Sequence, residues 1–398
     1  MENTEGFVSV RREKVYELDT IRTPNFLGLN HNAGFWNSSN YGKGVIIGIL
    51  DSGITPGHPS FSDEGLPRRE PDPADEHGHG THISSTAGGN FVRGNSSVFG
   101  VAPLAHVAMY RVCGDRDCPA SAGNRGPSSY TVSNSAPWVL TVGASTIDRK
   151  LAATVVLGDG QKLGGKRCPS RLTSHPLIWH WFFLAPQILL LPKGEIVMCE
   201  RGGPIATAAK YEKKADGAAM ILMNGVSAGY SFNLVANQTL PMLQPSFKDA
   251  DKIKTYIKRI SAPTAKIMFD HHAPFVASFS SRGPNKQNRG ILKPDINELG
   301  SNILAAWIRN AGQYNITSGT SISCPHLSGV AALLKSTHPD WSPAAVKSVI
   351  MTTADRVNRG GQPIEDQNHL AADPYSIGSG HVNNPGLVYD LKPVKIMD

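Results

Sequence analysis

The sequence is poor in cysteine and lacks the cysteine patterns that hold small secreted or zinc-binding proteins together. Only 5 of its 398 residues are cysteines; they are Cys113, Cys118, Cys168, Cys199 and Cys324. This number is too low and the spacing too irregular for a disulfide framework, and an odd count leaves at least one thiol unpaired. Because no Cys-x-x-Cys pair occurs, a structural zinc site is not expected either.

A hydrophobic run long enough to cross a membrane is also missing. The most apolar stretch covers residues 177–192, and His180, Pro186 and Gln187 interrupt it. A spanning helix needs about 20 consecutive apolar residues. The N-terminal residues MENTEGFVSVRREK contain no apolar core of the kind found in secretory signals. We therefore expect no membrane partner and no signal peptide within this chain.

The charge is positive overall but not concentrated. Lysine and arginine exceed aspartate and glutamate by 39 to 32, which gives a net charge of +7. The basic residues are scattered, and no basic stripe with interleaved aromatic side chains accompanies them. Because nucleic-acid binding depends on such a stripe, we expect no nucleic-acid partner. Nothing in the composition indicates an oligomeric state.

The pattern of apolar segments predicts an α/β domain with a parallel sheet. A length of 398 residues suggests two or three domains. Short unbroken apolar runs, typical of buried parallel strands, occur at 43–50, 107–112 and 137–144. Helical periodicity occurs at 323–335, with Pro325 in the expected first turn, and at 342–353, which Ser342 is expected to cap. Strands mixed with helices of this length are typical of α/β folds.

A second, smaller α/β unit is predicted to interrupt this domain. Strands at 193–199 and 218–223 flank an alanine- and lysine-rich helix at 206–215. Residues 252–259 supply the basic side of an amphipathic helix whose other side is apolar. We therefore place an insert at 161–272, between a first part of the main domain at 20–160 and a second part at 273–392.

Asp51 ends the first predicted strand, in ILDSGI. A carboxylate at the carboxyl end of a parallel strand faces the crevice where ligands bind in open α/β sheets. Taken alone, however, an aspartate before Ser-Gly is more often a turn former than a catalytic group. Asp51 is therefore a candidate only if suitable partners exist.

His79 lies in DEHGHGTHISSTAGG between Gly78 and Gly80. Two flanking glycines leave the imidazole sterically open, which suits a general base that a substrate must approach. One alternative is a metal site formed with His77 and His82, although the HExxH motif is absent and the sequence suggests no acidic third ligand. A purely structural histidine is the other alternative.

Ser321 lies in TSGTSISCPHLSG, with Gly319 two residues before it and a predicted helix immediately after. This position puts the hydroxyl near the free amide donors of a helix N-terminus, where a developing oxyanion would be stabilised. The alternative is a simple helix N-cap. Asp51, His79 and Ser321 follow one another in the order of the subtilisin type of catalytic triad.

Four segments carry a resemblance to the subtilase family, namely GVIIGILDSGI, HGHGTHISSTAGGN, SAGNRGP and SGTSISCPHLSGVAALLK. The segments FLGL, SFSSRGPN, ILKPDI and NPGLVYD resemble the plant branch of that family. The insert resembles its protease-associated domain. The similarity covers nearly the whole chain except about residues 165–192.

This resemblance implies a serine endopeptidase with a subtilisin-like parallel sheet flanked by helices and interrupted by the insert. Ser321 would attack the scissile carbonyl of a protein or peptide, His79 would move the proton, and Asp51 would orient the imidazole. Asn124, in SAGNRGP, would supply a donor of the oxyanion hole; the alternative is a turn residue beside Gly123. No metal or organic cofactor is implied. The expected location is extracellular, in the apoplast.

The chain also departs from the family pattern, which suggests truncation and internal deletion. Residues 1–19 resemble only the last part of an inhibitory propeptide, and the chain stops soon after NPGLVYD, where plant relatives continue. Only residues 113–120 separate the second predicted strand from SAGNRGP, and a parallel crossover needs about a dozen residues. Two strand–helix units would thus be absent. The alternative function is a catalytically silent remnant that at most binds proteins through its insert.

Overall fold

Two groups of strands build the fold: short pairs packed with helices, and a closed barrel. The computed structural model of the chain describes residues 22–30, 34–62, 74–92, 99–112, 121–147, 152–167, 175–179, 196–200, 219–223, 242–245, 247–261, 263–268, 274–308, 314–358, 360–368 and 370–383. In chain order the elements are α1 (Arg22–Phe26), α2 (Gly34–Ser38), β1 (Ile46–Asp51), α3 (His79–Gly88), β2 (His106–Arg111), β3 (Val142–Thr146), β4 (Ala152–Leu157), β5 (Lys162–Arg167), β6 (His175–Trp179), β7 (Ile196–Glu200), β8 (Ala219–Met223), β9 (Met242–Pro245), α4 (Phe247–Arg259), β10 (Thr264–Met268), β11 (Ile296–Ser301), β12 (Ile303–Ala306), β13 (Tyr314–Thr317), α5 (Thr320–Thr337), α6 (Pro343–Thr352) and α7 (Pro374–Ile377).

The first parallel pair places a carboxylate at the end of a half-buried strand. β1 pairs with β2 along its whole length. Burial alternates along β1, so that Ile47, Ile49 and Asp51 face the core, as the two-residue period of a strand requires. The segment predicted at 43–50 is thus confirmed as a strand, with Asp51 as its last residue, but it is buried on one face only and not throughout, as its unbroken apolar run had suggested.

The other face of this strand pair is apolar and open to solvent. Ile46, Leu50 and Tyr110 are 68%, 61% and 57% exposed. Parallel sheets are normally covered on both faces. Among the described residues β1 and β2 pair only with each other, so the sheet is two strands wide at this point.

The second parallel pair, β3 with β11, is buried along its whole length. The sequence predicted a strand at 137–144, whereas β3 begins only at Val142. The difference arises because the N–H of Val139 bonds to the carbonyl of Ala136 at 3.1 Å, which makes these residues a turn. Strands β12 and β13 form a separate antiparallel pair.

Helix α5 begins earlier than predicted. It starts at Thr320, so Pro325 lies in its second turn rather than its first. Because proline has no N–H, the carbonyl of Ser321 lacks its usual donor four residues further on. Helix α5 packs against α3, β3 and β11, and its buried Leu327, Val330 and Leu333 belong to the main hydrophobic core. This packing holds the helix together despite the proline.

Helix α6 confirms the prediction made for residues 342–353. It covers Pro343–Thr352, and the hydroxyl of Ser342 accepts the N–H of Ala345 at 3.2 Å. Because proline has no N–H, the first helical position has no donor that would need a partner. The same combination of N-cap and proline starts α7, where Asp373 accepts the N–H of Tyr375.

Seven strands close into a barrel in the order β10-β4-β5-β9-β8-β7-β6. Its hydrophobic core includes Ile196, Met198 and Ile221, together with Ile253 and Tyr256 from the amphipathic helix α4. The sequence placed the start of the insert at residue 161, but β4 (152–157) already belongs to the barrel. The helix predicted at 206–215 lies outside the described residues. No helix in the part of the chain that the structure describes is long and apolar enough to span a bilayer.

One carboxylic acid is buried in β11. Glu298 is fully buried, its Oε1 accepts the N–H of Leu299 at 2.7 Å, and Oε2 has no hydrogen-bond partner among the described residues. The Nε2 atom of His381 lies 3.7 Å from Oε1. Burial raises the pKa of Glu298 well above its ordinary value of 4.5. The folded protein therefore keeps this proton at pH values at which the unfolded chain releases it.

We expect Glu298→Gln to stabilise the protein more strongly as the pH rises. Above the ordinary pKa of glutamate the folded state binds one proton more than the unfolded chain, so the free energy of unfolding of the wild type falls with rising pH. Glutamine has nearly the same shape and no such proton. The difference in melting temperature between variant and wild type should grow from about pH 4 to pH 8. A difference that stays constant with pH would contradict this explanation.

Candidate active site

The carboxylate of Asp51 is buried and held by the chain that follows it. Its side chain is only 4% exposed. Its Oδ1 atom accepts the N–H of Ser52 at 2.8 Å and lies 2.7 Å from Nδ1 of His79. A buried carboxylate needs such donors, since burial of an unpaired charge costs a large free energy. Asp51 is therefore tied to an imidazole rather than acting only as a turn residue.

The imidazole of His79 connects this carboxylate to a hydroxyl. His79 is the first residue of α3, and its side chain is 34% exposed. Its Nε2 lies 2.9 Å from Oγ of Ser321. Because an ionised carboxylate can only accept, the proton of the neutral ring belongs on Nδ1, and Nε2 is left to accept the hydroxyl proton.

The glycines beside His79 serve the packing of the backbone. Gly78 has a φ of 90°, and a Cβ placed on it would lie 2.6 Å from the ring of Trp307. A Cβ on Gly80 would lie 2.1 Å from the carbonyl oxygen of Gly53. The structure thus gives these glycines a packing role that the sequence interpretation, an imidazole left open to substrate, did not include. They let the indole and the loop after β1 approach the start of α3.

Ser321 is the second residue of α5. N–H groups in the first turn of a helix have no acceptor within the helix, and the hydrogen bonds of the described residues do not use the N–H of Ser321. The hydroxyl and a free amide donor thus occur on one residue. Since α5 begins at Thr320, Ser321 is not the N-cap; Gly319 occupies that position.

Asn124 lies beside Ser321, although 196 positions separate it from Thr320 in the chain. Its Oδ1 accepts both the N–H and the hydroxyl of Thr320, at 2.8 and 3.0 Å. These two bonds orient the amide group, so that the NH2 group is on the side away from Thr320. A Cβ placed on Gly319 would lie 3.2 Å from Oγ of Ser321 and 3.6 Å from Nδ2 of Asn124. The space in front of Gly319 is therefore bordered by the hydroxyl and by an amide donor.

The neighbouring histidines do not join His79 in a metal site. His82 is fully buried, and its Nε2 lies 3.1 Å from the carbonyl oxygen of Ile303. Burial lowers the pKa of His82 to about 4, so the ring is neutral and donates to that carbonyl. Within the described ranges no group of three or more His, Cys, Asp or Glu side chains is arranged to hold a metal ion.

Two residues near the site were missed by sequence reasoning. Thr320 orients Asn124, and Asp75 accepts hydrogen bonds from the residues around His79. The only signals in the sequence are a threonine directly before the serine and an acidic residue four positions before the histidine. Both patterns are common near helix starts, so neither could have been selected without the structure.

A carboxylate, an imidazole and a hydroxyl linked in this order define the class of serine hydrolases. The model of the subtilase family matches residues 42–120 and 119–373 of this chain. The chain therefore belongs to the subtilase family, and by family it is a subtilisin-like serine endopeptidase.

Plant proteins are among its relatives. The subtilisin-like protease SBT1.4 of Arabidopsis thaliana is 34% identical over 536 aligned positions, which cover 97% of this chain and 68% of that protein. The subtilisin-like protease SBT1.6 of the same plant is 35% identical, with 98% of this chain and 70% of that protein covered. Among solved structures, the psychrophilic subtilisin-like protease Apa1 of an Antarctic Pseudoalteromonas aligns at 16% identity and a TM-score of 0.43, over 93% of this chain and 96% of that one.

The matches also differ from this chain in continuity and in length. The two matched segments of the family model meet at residues 119–120, soon after β2. The alignment with SBT1.4 extends over 536 positions, although the whole chain has 398 residues. This relative therefore carries residues within the aligned region that have no counterpart here.

The space in front of Gly319 can be tested by filling it. In Gly319→Ala the added methyl group would stand 3.2 Å from Oγ of Ser321, closer than an ordinary carbon–oxygen contact, so the hydroxyl must shift. Since a misplacement of about 1 Å can cost a reacting group about 10²-fold in rate, we expect at least a tenfold slower reaction of Ser321 with a fluorophosphonate.

The control for this variant is Gly290→Ala, where the added Cβ would touch only the side chain of Asn288 at 3.4 Å. Gly290→Ala should react like the wild type. Equal labelling rates for the two variants would show that the reaction of Ser321 with the fluorophosphonate does not depend on the space in front of Gly319.

Proposed function

We propose that this chain hydrolyses peptide bonds by attack of Ser321 on the scissile carbonyl. The observation that supports this proposal is the unbroken series of hydrogen bonds through His79, at 2.7 Å to Asp51 and at 2.9 Å to Ser321. The reaction type agrees with the family to which the chain belongs.

In the first half of the reaction, the Ser321 oxygen forms a bond to the carbonyl carbon while its proton passes to Nε2 of His79. The imidazole becomes positively charged, and the buried carboxylate of Asp51 stabilises that charge through Nδ1. The tetrahedral intermediate then collapses, the C–N bond breaks, and His79 gives its proton to the leaving amine. The product of this half is an acyl ester of Ser321.

The oxyanion of the intermediate needs two donors. We assign this role to the N–H of Ser321, in the first turn of α5, and to the side-chain NH2 of Asn124, which borders the space in front of Gly319 together with the Ser321 hydroxyl. Neither donor must be reoriented during the reaction, because α5 holds one and Thr320 holds the other. Preorganised donors of this kind stabilise the transition state more than water does.

In the second half, water replaces the amine. His79 takes a proton from the water, and the hydroxide oxygen adds to the acyl carbon. The ester bond to Ser321 then breaks, and His79 returns the proton to the departing Ser321 oxygen. The products are a carboxylic acid, which ionises in water, and the regenerated hydroxyl. We propose proteins or peptides as substrates and an extracellular place of action, by kinship with plant subtilases. We also propose that the barrel, whose strands lie between Ala152 and Met268, is a protease-associated domain.

A second candidate function is a catalytically silent remnant of a subtilase. Two observations favour it: the family match is divided at residues 119–120, and the face of β1 and β2 with Ile46, Leu50 and Tyr110 is exposed. We infer that strand–helix units that cover this face in relatives are absent from this chain. The linked residues at the site could then persist without a complete cleft for an extended substrate.

Labelling of the purified chain with a fluorophosphonate probe tests the proposed function. We expect labelling of the wild type and none of Ser321→Ala, because only a hydroxyl deprotonated by an adjacent base reacts at a useful rate. Ser328→Ala, an exposed serine on the same helix, is the matched control and should label normally. A folded wild type that does not label would favour the silent remnant.

The oxyanion assignment makes a separate prediction. Asn124→Asp keeps an oxygen acceptor for Thr320 but replaces the NH2 donor by a second oxygen. We expect kcat on a peptide substrate to fall by at least about 10²–10³-fold, the size of the effect known for the equivalent donor in subtilisin, with little change in KM. Steady-state kinetics measure both. An Asn124→Asp variant with normal kcat would exclude Asn124 as a donor to the oxyanion.

A further inference from the structure

The carboxylate of Asp75 accepts five hydrogen bonds, more than any group of the proposed triad. Its Oδ1 accepts the N–H groups of His77 and Gly78 at 3.0 and 2.9 Å and the hydroxyl of Ser52 at 3.0 Å. Its Oδ2 accepts the N–H and the hydroxyl of Thr81 at 2.9 and 2.7 Å. Both oxygens are thus fully used by donors.

These donors come from two separate parts of the chain. Ser52 directly follows Asp51, whereas His77, Gly78 and Thr81 lie on both sides of His79. The backbone strengthens the link, since the N–H of Asp75 bonds to the carbonyl of Ile54 at 3.1 Å. One carboxylate therefore fastens the chain that leaves β1 to the first turn of α3.

Further hydrogen bonds of Ser52 and Thr81 also link the loop after β1 to the start of α3. The hydroxyl of Ser52 accepts the N–H of Gly80 at 2.9 Å. The hydroxyl of Thr81 accepts the N–H of Thr55 at 3.0 Å and lies 2.9 Å from the hydroxyl of Thr55. The loop after β1 and the start of α3 are thus joined on both sides of the bond between Asp51 and His79.

Helix α3 supplies no acidic side chain of its own at its start. Its first turn contains no acidic residue, and its N-cap, Gly78, has no side chain to cap it. A negative charge near a helix N-terminus is stabilising. Burial by itself would raise the pKa of Asp75, but the hydrogen bonds from Thr81, Gly78 and His77 outweigh this and lower the pKa below its ordinary value of 3.8. The group is therefore ionised at neutral pH.

We propose that Asp75 is a positioning residue that sets the distance and angle of the hydrogen bond between Asp51 and His79. It touches neither the substrate nor a reacting atom. It acts by holding the backbone on both sides of that bond in a single arrangement. Asp51 at the end of β1 and His79 at the start of α3 are thereby kept within hydrogen-bond distance. The inference rests on the proposed function for its effect on rate, but its structural content can be measured without turnover.

The decisive variant is Asp75→Asn. Both oxygens of Asp75 accept from N–H or O–H donors, so an amide in either orientation turns an NH2 group toward at least one donor and breaks that bond. Asp373→Asn is the matched control, because Asp373 also accepts a backbone N–H at a helix start, that of α7, but lies outside this network. A general effect of a lost helix cap should appear in both variants.

Two further variants keep the charge of Asp75. Thr81→Val removes one hydroxyl of nearly the same shape and leaves the backbone N–H, and Ser52→Ala removes the single side-chain donor on the β1 side. If Asp75→Asn does not fold, Thr81→Val and Ser52→Ala test the proposal in its place. A double-mutant cycle between Ser52→Ala and Thr81→Val measures whether both sides act through Asp75.

The first readout is the low-field proton resonance of Nδ1 of His79, which reports on its hydrogen bond to Asp51 whether or not the protein turns over substrate. We expect this resonance to shift or broaden in Asp75→Asn and Thr81→Val and to stay unchanged in Asp373→Asn. The second readout is steady-state kinetics, in which kcat should fall about 10- to 100-fold with KM changed less than about twofold.

The proposal is overturned if Asp75→Asn is folded and shows the wild-type resonance, or if Asp373→Asn alters the resonance and kcat to the same degree. A wild-type protein without turnover, in which Asp75→Asn still changes the resonance, would contradict the proposed proteolysis and support the positioning role. The two inferences can therefore fail separately.

Discussion

The imidazole of His79 joins three segments that lie far apart in the chain, since its two hydrogen bonds reach a residue 28 positions before it and another 242 positions after it. Both bonds can form only if the end of β1 and the starts of α3 and α5 meet closely. Helix α3 packs directly on α5, and Gly329 permits the approach, because a Cβ there would lie 2.9 Å from the carbonyl oxygen of Ala87. The packing of α3 on α5 therefore keeps both hydrogen bonds of His79 within reach.

Buried charges join the two strands of the second parallel pair at their starts. Lys293 has no exposed surface, and its Nζ donates to Asp295 at 2.6 Å and to the carbonyl of Val139 at 2.8 Å. Asp295 also accepts the N–H of Thr141 at 2.6 Å and pairs with Lys347 at 3.2 Å. Buried ion pairs of this kind add little net stability, because desolvation offsets their attraction. Here they connect the start of β11 to the chain entering β3.

The sequence was informative where a local pattern has one physical cause. The parallel strand β1, the capped and proline-started α6 and the amphipathic α4 were all predicted correctly in type, although β1 is buried on one face only. Two errors concern features decided by contacts at long range: the packing of α5 moved its start before Pro325, and β4 joined the barrel although it precedes the predicted boundary. The shortening of β3, in contrast, comes from a local turn at Val139. The packing role of Gly78 could not be predicted, because Trp307, 229 residues further on, cannot be identified as its neighbour from the sequence.

The sequence by itself determined the family, the α/β character of the main domain and the three residues proposed for catalysis, because short motifs at strand ends and helix starts encode them. The catalytic roles of these residues remain predictions. Only the tertiary structure decided that Asp51, His79 and Ser321 lie in hydrogen-bond contact, that Thr320 orients Asn124, and that Asp75 holds β1 against α3. The physical reason is that hydrogen bonds between distant segments depend on distances of a few tenths of an ångström, which no pattern of residue types specifies.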